Sequence, residues 1–297
     1  MEAMVCALAH LRGFSWANTA LKLPFSRLNQ NKMVSPTDQE WLKKCQPESL
    51  PVLPFDRYIY MLEHHVVKKA LQPGELGYDG YQPEISTIAQ RDENELHTLE
   101  LVRQYTDIPV PKLIYQASGQ AAVIPKCACL YTAMVANQPR FNIFERIPGI
   151  TIFEGPVWDT INPRQQEGLK LQVQGYIRQL AKIPNDMGGV RSLSTSGEII
   201  HTQLPFRGPF KSTADFLHTY KDVDAPLIHQ ISPFSSPVLS HMDWDLSNIV
   251  LHPDLDGVAG VIYWERAAFF PEGGGSVHRM CHQWRGWETL FDGIQFE

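Results

Sequence analysis

No apolar run in these 297 residues approaches the roughly eighteen needed to cross a bilayer, so a membrane-spanning helix is not expected. The opening stretch MEAMVCALAHLRGF also lacks the form of a targeting peptide, because Glu2 precedes its apolar residues and His10 and Arg12 close it early. Blocks of like charge are missing too. Lys and Arg (26) are scattered among Asp and Glu (32), the net charge is −6 and the pI is near 6.0, which speaks against nucleic acid or an anionic membrane as the main partner. Cysteine is scarce. Cys6, Cys45, Cys127, Cys129 and Cys281 are too few and too irregular for a disulfide framework, and an odd count suits a reducing, cytoplasmic setting. Cys127 and Cys129 are one residue apart, which is not a zinc spacing, and they read as apolar strand residues.

What remains is ordinary globular material, 43% hydrophobic and 20% charged, long enough to form two lobes. Residues 1–50 read as an N-terminal extension whose only clear element is a short helix, announced by the capping-box pattern Thr37-Asp38-Gln39-Glu40 ahead of Trp41 and ending before Pro47. Tyr58 to Ala70 is rich in aromatic and β-branched residues and predicts paired strands broken at Gln72-Pro73-Gly74-Glu75. Glu93 to Tyr105 predicts an amphipathic helix with Leu96, Leu99 and Val102 on its stripe and Glu95 in its first turn, ended by Pro109 and Pro111. Phe141 to Ile147 predicts a strand and Pro148-Gly149 a sharp turn. Further on, Trp158 to Ile183 predicts a long helix presenting Leu169, Val173, Ile177 and Leu180, and Thr213 to Tyr220 a short one capped by Ser212 or Thr213. The expected architecture is α+β, with a small mixed β-sheet lobe over 51–147 and a mostly helical lobe over 148–297.

The densest chemistry lies in Ser240 to Pro271. It holds His241-x-Asp243 with Asn248 five residues on, a hairpin from Ile249 to His252 and Val258 to Ile262 around Pro253 to Gly257, and the cluster Tyr263-Trp264-Glu265. Elsewhere, His278, Cys281 and His282 offer an i, i+4 histidine pair with a thiol, but lack a fourth ligand, and Trp284 and Trp287 beside them favour a packed C-terminal helix.

Taken in order, Val66-Val67-Lys68, the helix carrying Glu95, Thr106 to Pro111, Phe144 to Thr151, Gly208-Pro209-Phe210 and the His241-x-Asp243 loop resemble the aminoglycoside phosphotransferase and choline kinase-like family, in particular fungal proteins described as phosphotransferase enzyme family. The resemblance implies a two-lobed protein kinase-like fold. It implies that Lys68 holds nucleotide phosphates, that Glu95 orients Lys68, and that the backbone at Glu145 to Ile147 meets adenine. By the same resemblance Asp243 is the catalytic carboxylate, His241 buttresses the loop and Asn248 binds magnesium, with ATP as the second substrate.

The chain departs from that pattern where metal chemistry is concerned. The family's His-Gly-Asp reads His241-Met242-Asp243, its Asp-Trp-Glu reads Tyr263-Trp264-Glu265, the residues after Pro271 are Glu272 and three glycines, and no glycine-rich phosphate loop precedes Lys68. A phenol with a pKa of about 10 brings no charge to magnesium at neutral pH. Asp245 is the one carboxylate nearby that could stand in. The expectation is therefore a kinase-like cleft with conventional ATP and magnesium phosphotransfer impaired or lost. The favoured role is a cofactor-independent tailoring or cyclisation enzyme of fungal secondary metabolism, with Asp243, Tyr263 and His241 at the site. Trp244 and Trp264 would add aromatic wall for an apolar or polycyclic substrate. An active small-molecule kinase and a non-catalytic binding module are the alternatives.

Overall fold

The computed structural model describes residues 36–50, 54, 56–72, 74–81, 85–117, 140–151, 157–200, 207–221, 231–271, 290, 291, 293 and 294. The two cysteines at 127 and 129, the His278 to His282 cluster with its expected helix, and the glycines at 273–275 lie outside them.

The first lobe is built on a four-stranded sheet of β1 (Arg57–Met61), β2 (His65–Ala70), β3 (Leu113–Gln116) and β4 (Phe141–Glu145), in the order β1-β2-β4-β3. Every pairing is antiparallel, so strand direction is not mixed as expected. Alternation gives the sheet two faces. On one, Tyr60, Val67, Phe141 and Ile143 are buried and pack with Trp41, Leu42 and Cys45 of the preceding segment. That segment is α1 (Pro36–Lys44) and its C-terminal end. Thr37 lies inside this helix rather than capping it, Asp38 in the first turn accepts the Tyr115 hydroxyl at 2.8 Å, and the Trp41 ring meets His65 edge-on at 5.1 Å. Residues 36–45 therefore roof the sheet.

The opposite face carries Arg57, Lys68, Asn142 and Phe144 toward α2 (Ile85–Tyr105). This helix begins eight residues earlier than its apolar stripe predicts. The reason is that its inward positions over the first half are Arg91, Asp92, Asn94 and Glu95, all buried, so a periodicity of apolar residues does not register them. Glu95 consequently sits in mid-helix, not in the first turn. The strand break also differs: Leu62 to His64 close a tight hairpin, with the Leu62 amide donating to the His65 carbonyl at 2.8 Å, and the run ends at Ala70.

After β4 the chain forms β5 (Ile150–Thr151), α3 (Val157–Thr160) and α4 (Pro163–Ala181). The Asn162 side chain accepts the Gln165 amide and the Asn162 amide donates to the Gln165 side chain in return, a capping box that with Pro163 starts α4 afresh and divides the single expected helix in two. Leu169, Val173, Ile177 and Leu180 are buried along its inner face as the spacing predicts. Next come β6 (Arg191–Ser192), α5 (Thr213–Thr219) with Ser212 as its cap, and β7 (Pro237–Ser240). β8 (Ile249–Leu251), β9 (Val258–Val261) and β10 (Ala268–Pro271) follow, and β8 and β9 form the expected hairpin. The main core runs from Leu99, Val102 and Phe144 through α4 to Trp244, Trp264 and Phe269, so it crosses from one lobe to the other.

Trp41→Ala removes part of the roof over Phe141 and Ile143. We expect a loss of about 2 kcal/mol in urea denaturation, half the cost of emptying a fully buried aromatic site because Trp41 is only half-buried.

Candidate functional site

β7 delivers the loop that begins at His241. This ring is fully buried, donates from Nε2 to the Ile262 carbonyl at 2.9 Å, and stacks between Trp244 (5.0 Å) and Trp264 (4.5 Å, edge-on). The two tryptophans are themselves buried in the core, so they do not line the cleft, contrary to the expectation of an aromatic wall. Met242 takes a left-handed conformation (φ 64°), which costs a side-chain-bearing residue about 1–2 kcal/mol. Burial of the Met242 side chain with Phe210, Phe216 and Phe270 offsets that cost.

Asp243 follows, half-buried. Asn248 donates from Nδ2 to its carbonyl at 2.8 Å, which closes the loop, and the carboxylate Oδ2 lies 3.2 Å from Nη1 of Arg266. Burial pushes the Asp243 carboxyl up, and Arg266 opposes that shift. Asp245 accepts the Ser247 amide at 2.8 Å and caps the 3-10 turn Leu246–Asn248. A capping carboxylate oxygen is one already engaged.

The hairpin of β8 and β9 carries the chain to Tyr263. Gly260 leaves room on the way for the Ile147 side chain, which a Cβ there would displace. Tyr263 is left-handed as well (φ 64°, ψ 51°), and this turn sends its ring toward the other lobe. The ring centroid is 4.3 Å from the Lys68 ammonium, and the Phe144 centroid is 5.4 Å from it. Lys68 meanwhile donates to Glu95 Oε1 at 2.6 Å, with both side chains buried. The ammonium is thus held by a carboxylate and covered by an aromatic face, each a favourable contact for a cation. Burial, then the charges of Glu265 and Glu95, push the Tyr263 phenol further up from its ordinary range, so it stays neutral.

Behind this triad lies an ionic network in which linear reading assigned no role to any member. Arg57 contacts Asp92 at 2.6 Å and Glu265 at 3.3 Å, the latter a charge contact rather than an aligned hydrogen bond. Arg91 pairs with Asp56 and stands 3.5 Å from Glu265. Burial works to raise the Glu265 carboxyl, but Arg57 and then Arg91 outweigh it and hold that carboxyl well below the usual range. The signal available in sequence was slight: Arg91, Asp92 and Glu95 recur at helical spacing, as though one face of the helix carried charge inward. Asn94 fastens the same helix further, donating to the carbonyls of Glu265 and Ala267 and accepting the Leu193 amide.

At the junction of the lobes, the Glu145 amide donates to the Lys112 carbonyl and the Arg146 amide to the His64 carbonyl. Ile147 rests on Gly260. The structure therefore brings Lys68, Glu95 and Tyr263 into contact, joins Asp243 to Asn248, and sets His241 beneath the loop. Glu145 and Ile147 lie on the connecting segment.

The residues present do not fit magnesium. It requires hard, charged oxygen ligands, whereas Tyr263 offers a neutral phenol, the Asp243 carboxylate is held by Arg266 and Asn248 brings an uncharged amide. Nor is there a glycine between Gly13 and Gly74 to let backbone amides wrap a phosphate ahead of Lys68.

Solved aminoglycoside phosphotransferases are similar to this chain at low identity. One from Streptomyces rimosus, APH(3'')-Id, shares 14% identity over 89% of this chain and 94% of its own, with a TM-score of 0.43. A second, in complex with GDP and kanamycin, shares 13% over 86% of each chain at a TM-score of 0.47. No protein-family model and no curated protein matches the chain. Among the described residues no helix is long and apolar enough to cross a membrane.

Two outcomes follow from the charges. Glu265→Gln leaves Arg57 and Arg91 without their shared carboxylate in a buried setting, which should cost about 3–5 kcal/mol by urea denaturation. His241 is lowered by burial from 6.5 to about 4. The unfolded chain therefore takes up the proton first. Stability is intact above about pH 6.5 and falls toward pH 4, by about 3 kcal/mol in all. The difference in unfolding free energy between wild type and His241→Asn should shrink over that window and stay constant above it.

Proposed function

We propose that the cleft binds a small uncharged organic molecule and acts on it by proton transfer at Asp243, without ATP or magnesium. The observation that carries this reading is the Lys68 ammonium, gripped by Glu95 at 2.6 Å and covered by the Tyr263 ring at 4.3 Å. The pair with Glu95 is compatible with a nucleotide, whose phosphates would also have to reach the ammonium. The Tyr263 ring, packed on that ammonium, stands against such an approach.

An uncharged ligand suits a site where Arg57, Lys68, Arg91 and Arg266 each have a carboxylate on them. Asp243 is the group left to do chemistry. Burial pushes its carboxyl up against the opposing pull of Arg266, and Asn248 holds the loop that presents it. A tailoring or cyclisation step, in which the enzyme holds one conformer and moves one proton, asks no more than this. The substrate we favour carries a hydroxyl or carbonyl group on an apolar body, set against the Tyr263 ring.

Two observations favour a second reading, ATP-dependent phosphotransfer. The pairing of Lys68 with Glu95 and the closure of the Asp243 loop by Asn248 both leave nucleotide machinery in working order apart from Tyr263.

Thermal shift with ATP, with and without magnesium, separates the two on wild type and Tyr263→Asp. The proposal expects no shift for wild type. Magnesium-dependent stabilisation confined to the variant, about 2.7 kcal/mol at a hundredfold excess over Kd, would mark a nucleotide site closed by the tyrosine. Magnesium-dependent ATP binding by wild type would sink the proposal in favour of the kinase. Substrate turnover that survives Asp243→Asn would remove Asp243 from the chemistry.

A further inference from the structure

The face of the four-stranded sheet that looks toward α2, together with that helix, holds buried polar atoms with no hydrogen-bond partner among the described residues. Asn142 on β4 is directly opposite Lys68 in the register of β2, so the two side chains share that face. Asn142 is fully buried, and neither its Nδ2 nor its Oδ1 has a hydrogen-bond partner. Across from it on α2, Glu95 presents Oε1 to Lys68 while its Oε2 is buried without a donor. Thr98, nearly one turn further along the same helix, is fully buried with a bare Oγ1. Four buried polar atoms left unmet would take away a large part of a domain's net stability, and native proteins carry few of them.

Their chemistry specifies what is missing. Glu95 Oε2 requires a donor, Asn142 Nδ2 an acceptor and Asn142 Oδ1 a donor, while Thr98 can serve as either. A cation would answer the two oxygens and repel the Lys68 ammonium; an anion would meet Glu95. A neutral oxygen that donates and accepts answers all of them.

We infer that Asn142, Thr98 and Glu95 form a buried binding site for one neutral hydroxyl oxygen, beside Lys68 on the inner side of the sheet. A water serves both oxygens with its two protons and accepts the Asn142 N–H. A ligand hydroxyl donates once, to Glu95, and accepts the Asn142 N–H. Both sources supply the same group. The Lys68 ammonium, already on Glu95 Oε1, forms one wall of the site, and Tyr263 covers that ammonium from the cleft side. The inference goes beyond the proposed function and is tested on the protein without substrate, so either can fail while the other stands.

The test is an atomic-resolution crystal structure of the full chain, alone and after soaking in methanol as the hydroxyl probe. An oxygen within hydrogen-bonding reach of Asn142 and Glu95 in both crystals supports the site with solvent as its source. A methanol in place of that oxygen supports it with access for ligand hydroxyls. Asn142 turned to a protein partner, with no oxygen bound, overturns it. In solution, Thr98→Val with Asn142→Leu keeps the side-chain volumes and removes the hydroxyl's partners, leaving Glu95 Oε2 without a donor. The urea midpoint of this double variant should fall below that of wild type, and a midpoint above it overturns the site. Should the variant not fold, the crystal structures decide.

Discussion

Glu265 reaches from the helical lobe to two arginines of the other, and the geometry of the cleft depends on that contact. Arg57 stands on β1 and Arg91 on α2, so one carboxylate ties a strand and a helix of the first lobe to the turn after β9. Such an arrangement survives burial only because the charges neutralise one another; removing any one of them leaves another stranded in a medium that solvates it poorly. With Asn94 bonded to the backbone on either side of Arg266, α2 is held against the other lobe at its middle. Glu95, one residue on, is thereby placed on Lys68.

The same turn explains why Tyr263 lies where it does. A left-handed residue between β9 and the 3-10 turn Trp264–Arg266 redirects the chain sharply, so Trp264 enters the core, Glu265 reaches the first lobe and Arg266 returns to Asp243. Four consecutive side chains thus take four different roles. The ring of Tyr263 then settles on the ammonium of Lys68, so that this cation is held by a carboxylate and covered by an aromatic face.

Much of the scaffold was legible because apolar periodicity reports burial directly. The stripe of Leu169, Val173, Ile177 and Leu180, the hairpin after Asn248 and the α+β division all follow from it. Errors arose where burial and polarity part company. The first half of α2 buries Arg91, Asp92 and Glu95, so its start was placed too late; Trp244 and Trp264 read as cleft surface because an aromatic residue beside a loop motif carries no mark of which way it points. Asp245 caps the turn Leu246–Asn248, a role that depends on a backbone conformation which spacing does not reveal.

The order of residues by itself determined that Asp243, Asn248 and Lys68 occur at kinase-like spacing and that a phenol stands where the resemblance expects a carboxylate, since both are matters of chemical identity along the chain. Only the tertiary structure decided what those residues touch. It placed the Tyr263 ring over Lys68, assigned Arg266 to Asp243, and set Asn142 opposite Lys68 in the sheet. These are encounters between residues from 23 to well over 100 positions apart, and their outcome rests on charge neutralisation and packing in three dimensions, which no local pattern encodes.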